Sequence, residues 1–355
     1  MFMQYIALDC GWIDFESPYG LFLRDMIFHL EKIDREKRYI IFSTTLLEFT
    51  NTNFESHVIK KSRWIRDDKI FCKKLKKLKL SFVLFCDQER KISYTKRYSI
   101  LLESLKEISY PSFVNTNFLQ KQLQKYILHK WIDTAERIIC FDWKTKEEIN
   151  ENFDKKESEI HIIPWFFPLY DKEILQDTSE IKFWENVDAQ FLIYDAWPGN
   201  NKNLEKLVKA MSLVNKNNND IKLYVIWDEL IRDISFREYI IEHDAVDSVK
   251  FLWALSLTRK KHYYEKALWV ILPSLYESFP FSLISAVNFK VPVISGNLQA
   301  IKDVFWEHIR YFHSLSINQM REQIELLSNK KSVDYTDIQK KYSVEKTVEE
   351  LQGII

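Results

Sequence analysis

Residues Pro273–Val304 read PSLYESFPFSLISAVNFKVPVISGNLQAIKDV, and their pattern decides the fold. An apolar run, Leu268–Leu275 (LWVILPSL), breaks at Pro273 and Ser274. An acidic loop residue, Glu277, follows, then a helical stretch Phe281–Phe289 and a second apolar run, Val291–Ser295 (VPVIS). Upstream the same alternation recurs. Gln190–Ala196 (QFLIYDA), Ile221–Ile226 (IKLYVI) and Val249–Leu255 (VKFLWAL) are of strand length. Helical stretches lie between them, from Asn203 and over Ile231–His243, then a short basic segment, Thr258–Lys266, and a last helix over Ile317–Asn329. Continuous apolar strands separated by helices indicate a parallel sheet covered on both faces, so the class is doubly wound α/β. In such sheets ligands sit beyond the carboxyl ends of the strands, and Glu277 falls there. The helix start after it offers free backbone N–H groups to an anion. The plainer reading of a glutamate at that point is a helix cap.

The first half is less regular. Tyr5–Asp9, Tyr39–Ser43, Ser81–Asp87 and Arg137–Asp142 look like strands, and Leu21–Ile33 and Phe118–Thr134 like helices. The 355 residues exceed what one compact core usually serves. The expected division is a first domain over residues 1–168, a second over 169–334, and a helical tail, 335–355, packing back on the first.

Apolar residues make up 46% and charged residues 29%, a globular composition. Basic and acidic residues number 51 each, which removes any global field for a nucleic-acid partner. Four scattered cysteines (Cys10, Cys72, Cys86, Cys140) give neither a disulfide framework nor a zinc spacing. The N-terminus lacks a basic start and a cleavage site, and no apolar run reaches the roughly 20 residues of a membrane span. The expected location is the cytoplasm, or the periphery of the inner membrane face. There is no GxGxxG, no P-loop and no serine nucleophile elbow, which argues against dinucleotide, P-loop and triad chemistry.

PSLYES-F-P-F-x-L followed by A-V-x-x-x-VPVIS resembles the signature of retaining GT-B glycosyltransferases, family 4 (group 1), P-S-x-x-E-G-F-G-x-P-x-x-E-A-x-x-x-G-x-P-V-I. The likeness extends to Phe191–Met211 (FLIYDAWPGNNKNLEKLVKAM), similar to the family's Y-V-G-x…K-N-x-x-x-L-I-x-A, and to Ala300–Phe312 (AIKDVFWEHIRYF). It covers about half the chain; the N-terminal half matches only in layout. The resemblance implies two Rossmann-like doubly wound domains facing a central cleft. It implies transfer of a sugar from a nucleotide-sugar donor to a glycan or lipid-linked acceptor, with retention and without metal or other cofactor. Surface polysaccharide or glycolipid synthesis is the expected setting. By the same resemblance Glu277 acts at the donor sugar and Lys202 at the diphosphate, Ser278 and Phe279 lie beside the donor, and Gly11–Trp12 form the loop near its phosphates. A sugar–diphosphate bond breaks through an oxocarbenium-like state while charge builds on the leaving diphosphate, so cations are needed there. A solvated lysine remains the plain alternative for Lys202.

Three departures stand out. The family's second motif glutamate, which holds the ribose hydroxyls, falls on Ser285. The arginine that commonly precedes the lysine is missing from Asp195–Asn201, and the site of a common His-Asp pair reads Cys86-Asp87. They leave open a second class: a catalytically degenerate GT-B protein acting as a binding or assembly subunit. A sugar epimerase is a distant third, lacking the dinucleotide glycines.

Glycine occurs 5 times and tryptophan 11 times, where average usage gives roughly 25 glycines. Trp12, Trp197, Trp253 and Trp306 fall at or near turns where the family shows glycine. Glycine tolerates positive φ and close ligand approach; an indole does neither. The expectation is that several of these are UGA codons read as glycine at source, the alternative being a diverged chain with true tryptophans. Finally, Lys60–Lys79 (KKSRWIRDDKIFCKKLKKLK) carries ten basic residues interleaved with apolar ones. One reading is a patch for an anionic membrane surface or lipid-linked acceptor; the plainer one is a solvated helix face.

Overall fold

The computed structural model describes residues 4–11, 13–15, 17–59, 65–86, 97–113, 117–170, 187, 190–196, 199–216, 220–226, 234–252, 255–327 and 332–355. The chain divides into two compact units, Met1–Pro168 with Tyr342–Ile355, and Leu169–Lys341. The first contains strands β1 (Tyr5–Cys10), β2 (Arg38–Ser43), β3 (Phe54–Val58), β4 (Phe82–Phe85), β5 (Ser99–Leu102), β6 (Arg137–Cys140) and β7 (Ile160–Ile162). Its helices are α1 (Pro18–Ile33), α2 (Ile65–Lys77), α3 (Lys106–Ser109), α4 (Phe118–Thr134) and α5 (Trp143–Asn152). The second contains β8 (Phe191–Tyr194), β9 (Lys222–Ile226), β10 (Val249–Leu252), β11 (Trp269–Leu272), β12 (Val293–Gly296) and β13 (Arg310–Phe312). Its helices are α6 (Leu204–Lys216), α7 (Ile234–Glu242), α8 (Leu257–Lys266), α9 (Ile284–Asn288), α10 (Gln299–Phe305), α11 (Ile317–Glu325) and α12 (Thr336–Lys341); α13 (Val344–Ile354) returns to the first unit.

Each unit is a doubly wound Rossmann-like layer structure. The sheet orders are β3-β2-β1-β4-β5-β6-β7 and β10-β9-β8-β11-β12-β13, all pairings parallel. The strand order turns back between β1 and β4 in one sheet and between β8 and β11 in the other, the points where crevices for ligands open at strand ends. Strands such as Phe191–Tyr194 and Ser99–Leu102 are buried throughout because helices cover both faces.

Local chemistry fixes the helix ends. Ser17 caps α1, its hydroxyl accepting from the Gly20 N–H at 3.0 Å with Pro18 in the first turn. Gly20 must be glycine, since a Cβ there would lie 1.8 Å from the Asp14 carbonyl oxygen. Asn117 and Gln120 form a reciprocal capping box at the start of α4. Helix α13 is held to the first unit by buried Val348 and Leu351, by Thr347 Oγ1 donating to the Pro164 carbonyl (2.7 Å), and by Gln352 Nε2 donating to Asp34 Oδ2 (3.3 Å).

Several expectations need correction. Strands β3, β5, β7 and β13 were not expected; they are three to five residues long, too short for a periodic signal. The segment 335–355 is not one helix, since α12 belongs to the second unit and only α13 to the first. The basic segment Thr258–Lys266 is a ten-residue helix, α8, capped by Ser256. The helix expected over Phe281–Phe289 is a 3-10 turn, Phe281–Leu283, followed by the five-residue α9, too short to act as an anion-binding N-terminus. Trp12, Trp197, Trp253, Asp87 and residues 60–64 of the basic stretch lie outside the described residues. Trp306 is described. It adopts φ 41° and ψ −114°, a positive-φ conformation that favours glycine, and its indole is 67% exposed.

Candidate functional site

The site is built from the segments that leave β8 and β11. After β8 the chain makes a 3-10 turn, Asn200–Lys202, and enters α6 through Asn203 in the left-handed region (φ 57°). Asparagine is among the few non-glycine residues that adopt this conformation readily. Its buried amide donates to the carbonyls of Pro273 (3.1 Å) and Ser314 (2.7 Å). The Leu275 N–H donates to the Asn201 carbonyl (2.6 Å), and the Asn201 amide donates to that of Tyr276 (3.2 Å). The turn after β8 is thereby laced to the loop after β11. Gly296 permits the third segment to close in, because a Cβ there would meet Ser314 Oγ at 2.0 Å and the Ser274 carbonyl at 2.9 Å.

This lacing brings Lys202 and Glu277 together across 75 residues of sequence. Lys202 Nζ lies 2.5 Å from Glu277 Oε1, which also accepts from Ser274 Oγ (2.6 Å); Lys202 donates further to Ser282 Oγ (3.2 Å). The side chains are 14% and 7% exposed. Glu277 is therefore no helix cap, and Lys202 is not a solvated lysine.

A second ion pair lies at the end of β8. Lys260 Nζ, on α8, is 2.9 Å from Asp195 Oδ2, with side chains 26% and 15% exposed. Tyr264 OH donates to the same oxygen (2.8 Å) and also hydrogen-bonds Ser285, whose Oγ lies 2.7 Å from Tyr170 OH. Burial would lower the Lys260 ammonium, but the charge and hydrogen bonding of Asp195 and the negative character of Tyr170 outweigh it and hold the group above its ordinary value. Burial, reinforced by Asp195, raises the Tyr264 phenol well above its ordinary range. The Tyr194 hydroxyl is buried and makes no hydrogen bond among the described residues. Burial raises it most, and the charges of Glu277 and Asp195 raise it further, so both carboxylates act on one phenol.

The structure thus unites Lys202 with Glu277 and keeps Ser278 and buried Phe279 in the same loop, where Phe279 meets Phe281 edge to face. Ser285 joins neither Lys202 nor Glu277; it belongs to the Asp195–Lys260 network. Gly11 lies in the first unit, its N–H donating to Asp9 Oδ1 (3.1 Å). Sequence reasoning missed Asp195, Lys260, Tyr264 and Tyr170. Only Asp195 carried a signal, an acidic residue directly after an apolar strand. Among the described residues no group of three or more His, Cys, Asp or Glu side chains is disposed to hold a metal, and no helix is long and apolar enough to cross a membrane.

Comparisons with known proteins bear on the family and the fold. The family model described as glycosyl transferases group 1 matches residues 179–342. A curated relative, the O-antigen chain mannosyltransferase RfbU of Salmonella typhimurium, is 22% identical over 221 residues, covering 62% of this chain and 58% of that protein. WaaG, a glycosyltransferase involved in lipopolysaccharide biosynthesis, superposes with a TM-score of 0.64 at 12% identity, over 97% of this chain and 94% of its own. Sucrose-phosphate synthase from Thermosynechococcus elongatus gives 0.68 at 14% identity, over 99% and 94%. Anabaena HepE, solved with UDP and glucose, gives 0.62 at 9% identity, over 99% and 95%. The family model covers most of the second unit, and the two parallel-sheet Rossmann-like domains match those of GT-B glycosyltransferase structures.

Proposed function

We propose that the protein is a glycosyltransferase that moves a sugar from a nucleotide-sugar donor to a glycan or lipid-linked acceptor in the synthesis of a surface polysaccharide, with retention and without a metal. The observation that carries this reading is the buried Lys202–Glu277 pair at the point where the second sheet changes strand order. The family match of the second unit and the O-antigen relative support it.

The chemistry follows from the contacts. An ammonium held against a carboxylate can turn to the donor diphosphate, whose charge grows as the glycosidic bond breaks. Glu277, released from Lys202 but still fixed by Ser274, then faces the sugar carbon that gains positive character. Asp195 is the carboxylate we assign to the ribose hydroxyls, a role for which Ser285, a single neutral oxygen already bonded to Tyr170 and Tyr264, lacks the charge and the second oxygen. Lys260 and Tyr264 hold Asp195 in place through hydrogen bonds to its carboxylate. The site carries its cations on Lys202 and Lys260, which offsets the arginine absent from the turn after β8.

The test is release of nucleoside diphosphate from a panel of nucleotide sugars in the presence of mixed glycan and lipid-linked acceptors. Wild type releases it from one donor, and Glu277→Gln lowers that turnover on the order of 10³-fold. Tight donor binding without release, identical in both forms, would make the protein the degenerate binding subunit instead.

A further inference from the structure

Tyr194 closes β8, next to Asp195, and its side chain is wholly buried. Other fully buried tyrosines spend their hydroxyls on a partner: Tyr39 on Asp34 (2.7 Å), Tyr264 on Asp195 (2.8 Å) and Tyr335 on the Val291 carbonyl (3.0 Å). The Tyr194 hydroxyl has none among the described residues. A buried hydroxyl without a partner loses its hydration for nothing, and phenylalanine would fill the same space without that cost. Such an orphan, at the end of a strand that feeds the site, points to a partner that arrives when the site is at work.

The strand decides where the group lies. Side chains alternate along β8, so Leu192 and Tyr194 share one face and Phe191 and Ile193 the other. Phe191 stacks on Tyr224 at 4.2 Å, and Tyr224 meets Tyr263 of α8 edge to face at 6.0 Å, so α8 covers the Phe191 face. The right-handed crossovers β8–α6–β9 and β10–α8–β11 run in opposite directions across the sheet, which puts α6 on the Tyr194 face. Helix α6 is entered through the turn that carries Lys202, and Lys202 holds Glu277. Burial, and after it the charges of Glu277 and Asp195, keep the Tyr194 phenol above its ordinary value, so the oxygen has a proton to offer. The two carboxylates differ in what they need. Asp195 holds Lys260 on both oxygens (2.9 and 3.3 Å) and Tyr264 on one, and nothing in the proposed donor binding removes either. Glu277 Oε1 holds Lys202 and Ser274, and there Lys202 leaves.

We propose that Tyr194 is a positioning residue for Glu277: when Lys202 turns to the diphosphate, the Tyr194 hydroxyl donates to the carboxylate that Lys202 has left. The inference deepens the donor chemistry and rests on that exchange of partners. A buried carboxylate left with Ser274 alone is poorly compensated and free to follow the ammonium. A second donor from the end of β8 keeps it facing the sugar carbon. Positive charge develops on that carbon only in the transition state, so the hydroxyl acts on turnover rather than on donor affinity.

Tyr194→Phe tests it in two ways. The first is thermal unfolding in two backgrounds, which needs no donor. In the wild-type background the substitution removes an unpartnered hydroxyl, so the midpoint stays level or rises. In Lys202→Ala, which frees Glu277 without any ligand, the same substitution lowers the midpoint by about 2–4 °C, because the hydrogen bond has formed there. The second is release of nucleoside diphosphate from the donor that wild type uses. Tyr194→Phe lowers kcat about tenfold or more while KM for the donor stays within about twofold. The same effect on the midpoint in both backgrounds overturns the proposal, whether none or a loss, the mark of a hydroxyl already bonded to a buried water. A kcat equal to that of wild type overturns it too. So does a loss that appears beside Lys260→Met and not beside Lys202→Ala, since the hydroxyl would then serve Asp195. Midpoints as predicted, with no donor turned over by wild type, support the Tyr194–Glu277 bond and count against glycosyl transfer instead.

Discussion

The two sheets share a layout, each reversing its strand order at the centre, but the groups gathered at the reversal differ. Beyond β8 and β11 stand two ion pairs, Lys202–Glu277 and Lys260–Asp195, both mostly buried. Beyond β1 and β4 stand Gly11, whose N–H donates to Asp9, and buried Cys86, whose carbonyl accepts from Tyr19 OH at 3.1 Å. Taking charges out of water costs more than their attraction usually returns, so stability alone does not favour the arrangement in the second unit. Strand ends that keep buried charges at such a cost are suited to trading partners with a charged ligand. In the first unit the described strand ends bury Asp9 and Cys86, and large exposed apolar side chains lie on α4.

The contrast can be broken most forcefully at Asp195. Asp195→Asn leaves Lys260 without its countercharge and lowers stability by about 3–5 kcal/mol in urea unfolding. Replacing both partners, Asp195→Leu with Lys260→Met, restores most of that stability while nucleoside diphosphate binding stays lost. A double variant as unstable as the single one would show that the pair serves folding rather than function. Trp306→Gly comes next, relieving a positive-φ indole and raising stability by about 1–3 kcal/mol in thermal unfolding. The matching genetic expectation is UGA at Trp306, Trp12, Trp197 and Trp253, and UGG at the buried, ring-stacked Trp165. UGG at all five rejects recoding. Ser285→Ala has a smaller effect, about 1 kcal/mol, because Tyr170 and Tyr264 lose a shared partner.

The last prediction concerns the first unit. Burial pushes the Asp34 carboxyl up, but hydrogen bonds from Tyr39, the Lys37 and Glu36 N–H groups and Gln352 outweigh it and hold the carboxyl below its ordinary value of 3.8. A depressed carboxyl contributes stability that is fully present above its unfolded value and is lost as pH falls through the folded one. Amide exchange in α13, which Gln352 ties to Asp34, therefore quickens below about pH 4 relative to the rest of the first sheet. An Asp34→Asn variant shows no such onset.

Much of the fold was legible because parallel strands buried on both faces are written as unbroken apolar runs, as in Phe191–Tyr194 and Trp269–Leu272. The short strands β7 and β13 carry too few residues to declare a period, and the alternation of FESHV in β3 is that of a partly exposed edge. Lys202 and Glu277 were legible because each stands at a fixed place in a motif. Asp195, Lys260, Tyr264 and Tyr170 were not, since they lie on separate elements that only the folded second unit brings within hydrogen-bonding distance. The basic stretch after residue 60 was half legible. Of its described lysines, Lys73, Lys74, Lys77 and Lys79 are exposed, but Phe71 and Leu75 turn inward, and no periodicity in the sequence marks α4 as apolar on its outer side as well.

The central claim is that Lys202 exchanges Glu277 for the diphosphate of a nucleotide donor. Calorimetric titration of UDP, GDP and ADP into wild type and Lys202→Gln tests it most directly, because glutamine can keep hydrogen bonds to Glu277 and Ser282 without the charge. The account predicts that one of the three nucleotides binds wild type and that Lys202→Gln weakens it by about ten- to a hundredfold. Equal affinity in the two proteins, or no binding of any of the three to wild type, would contradict it.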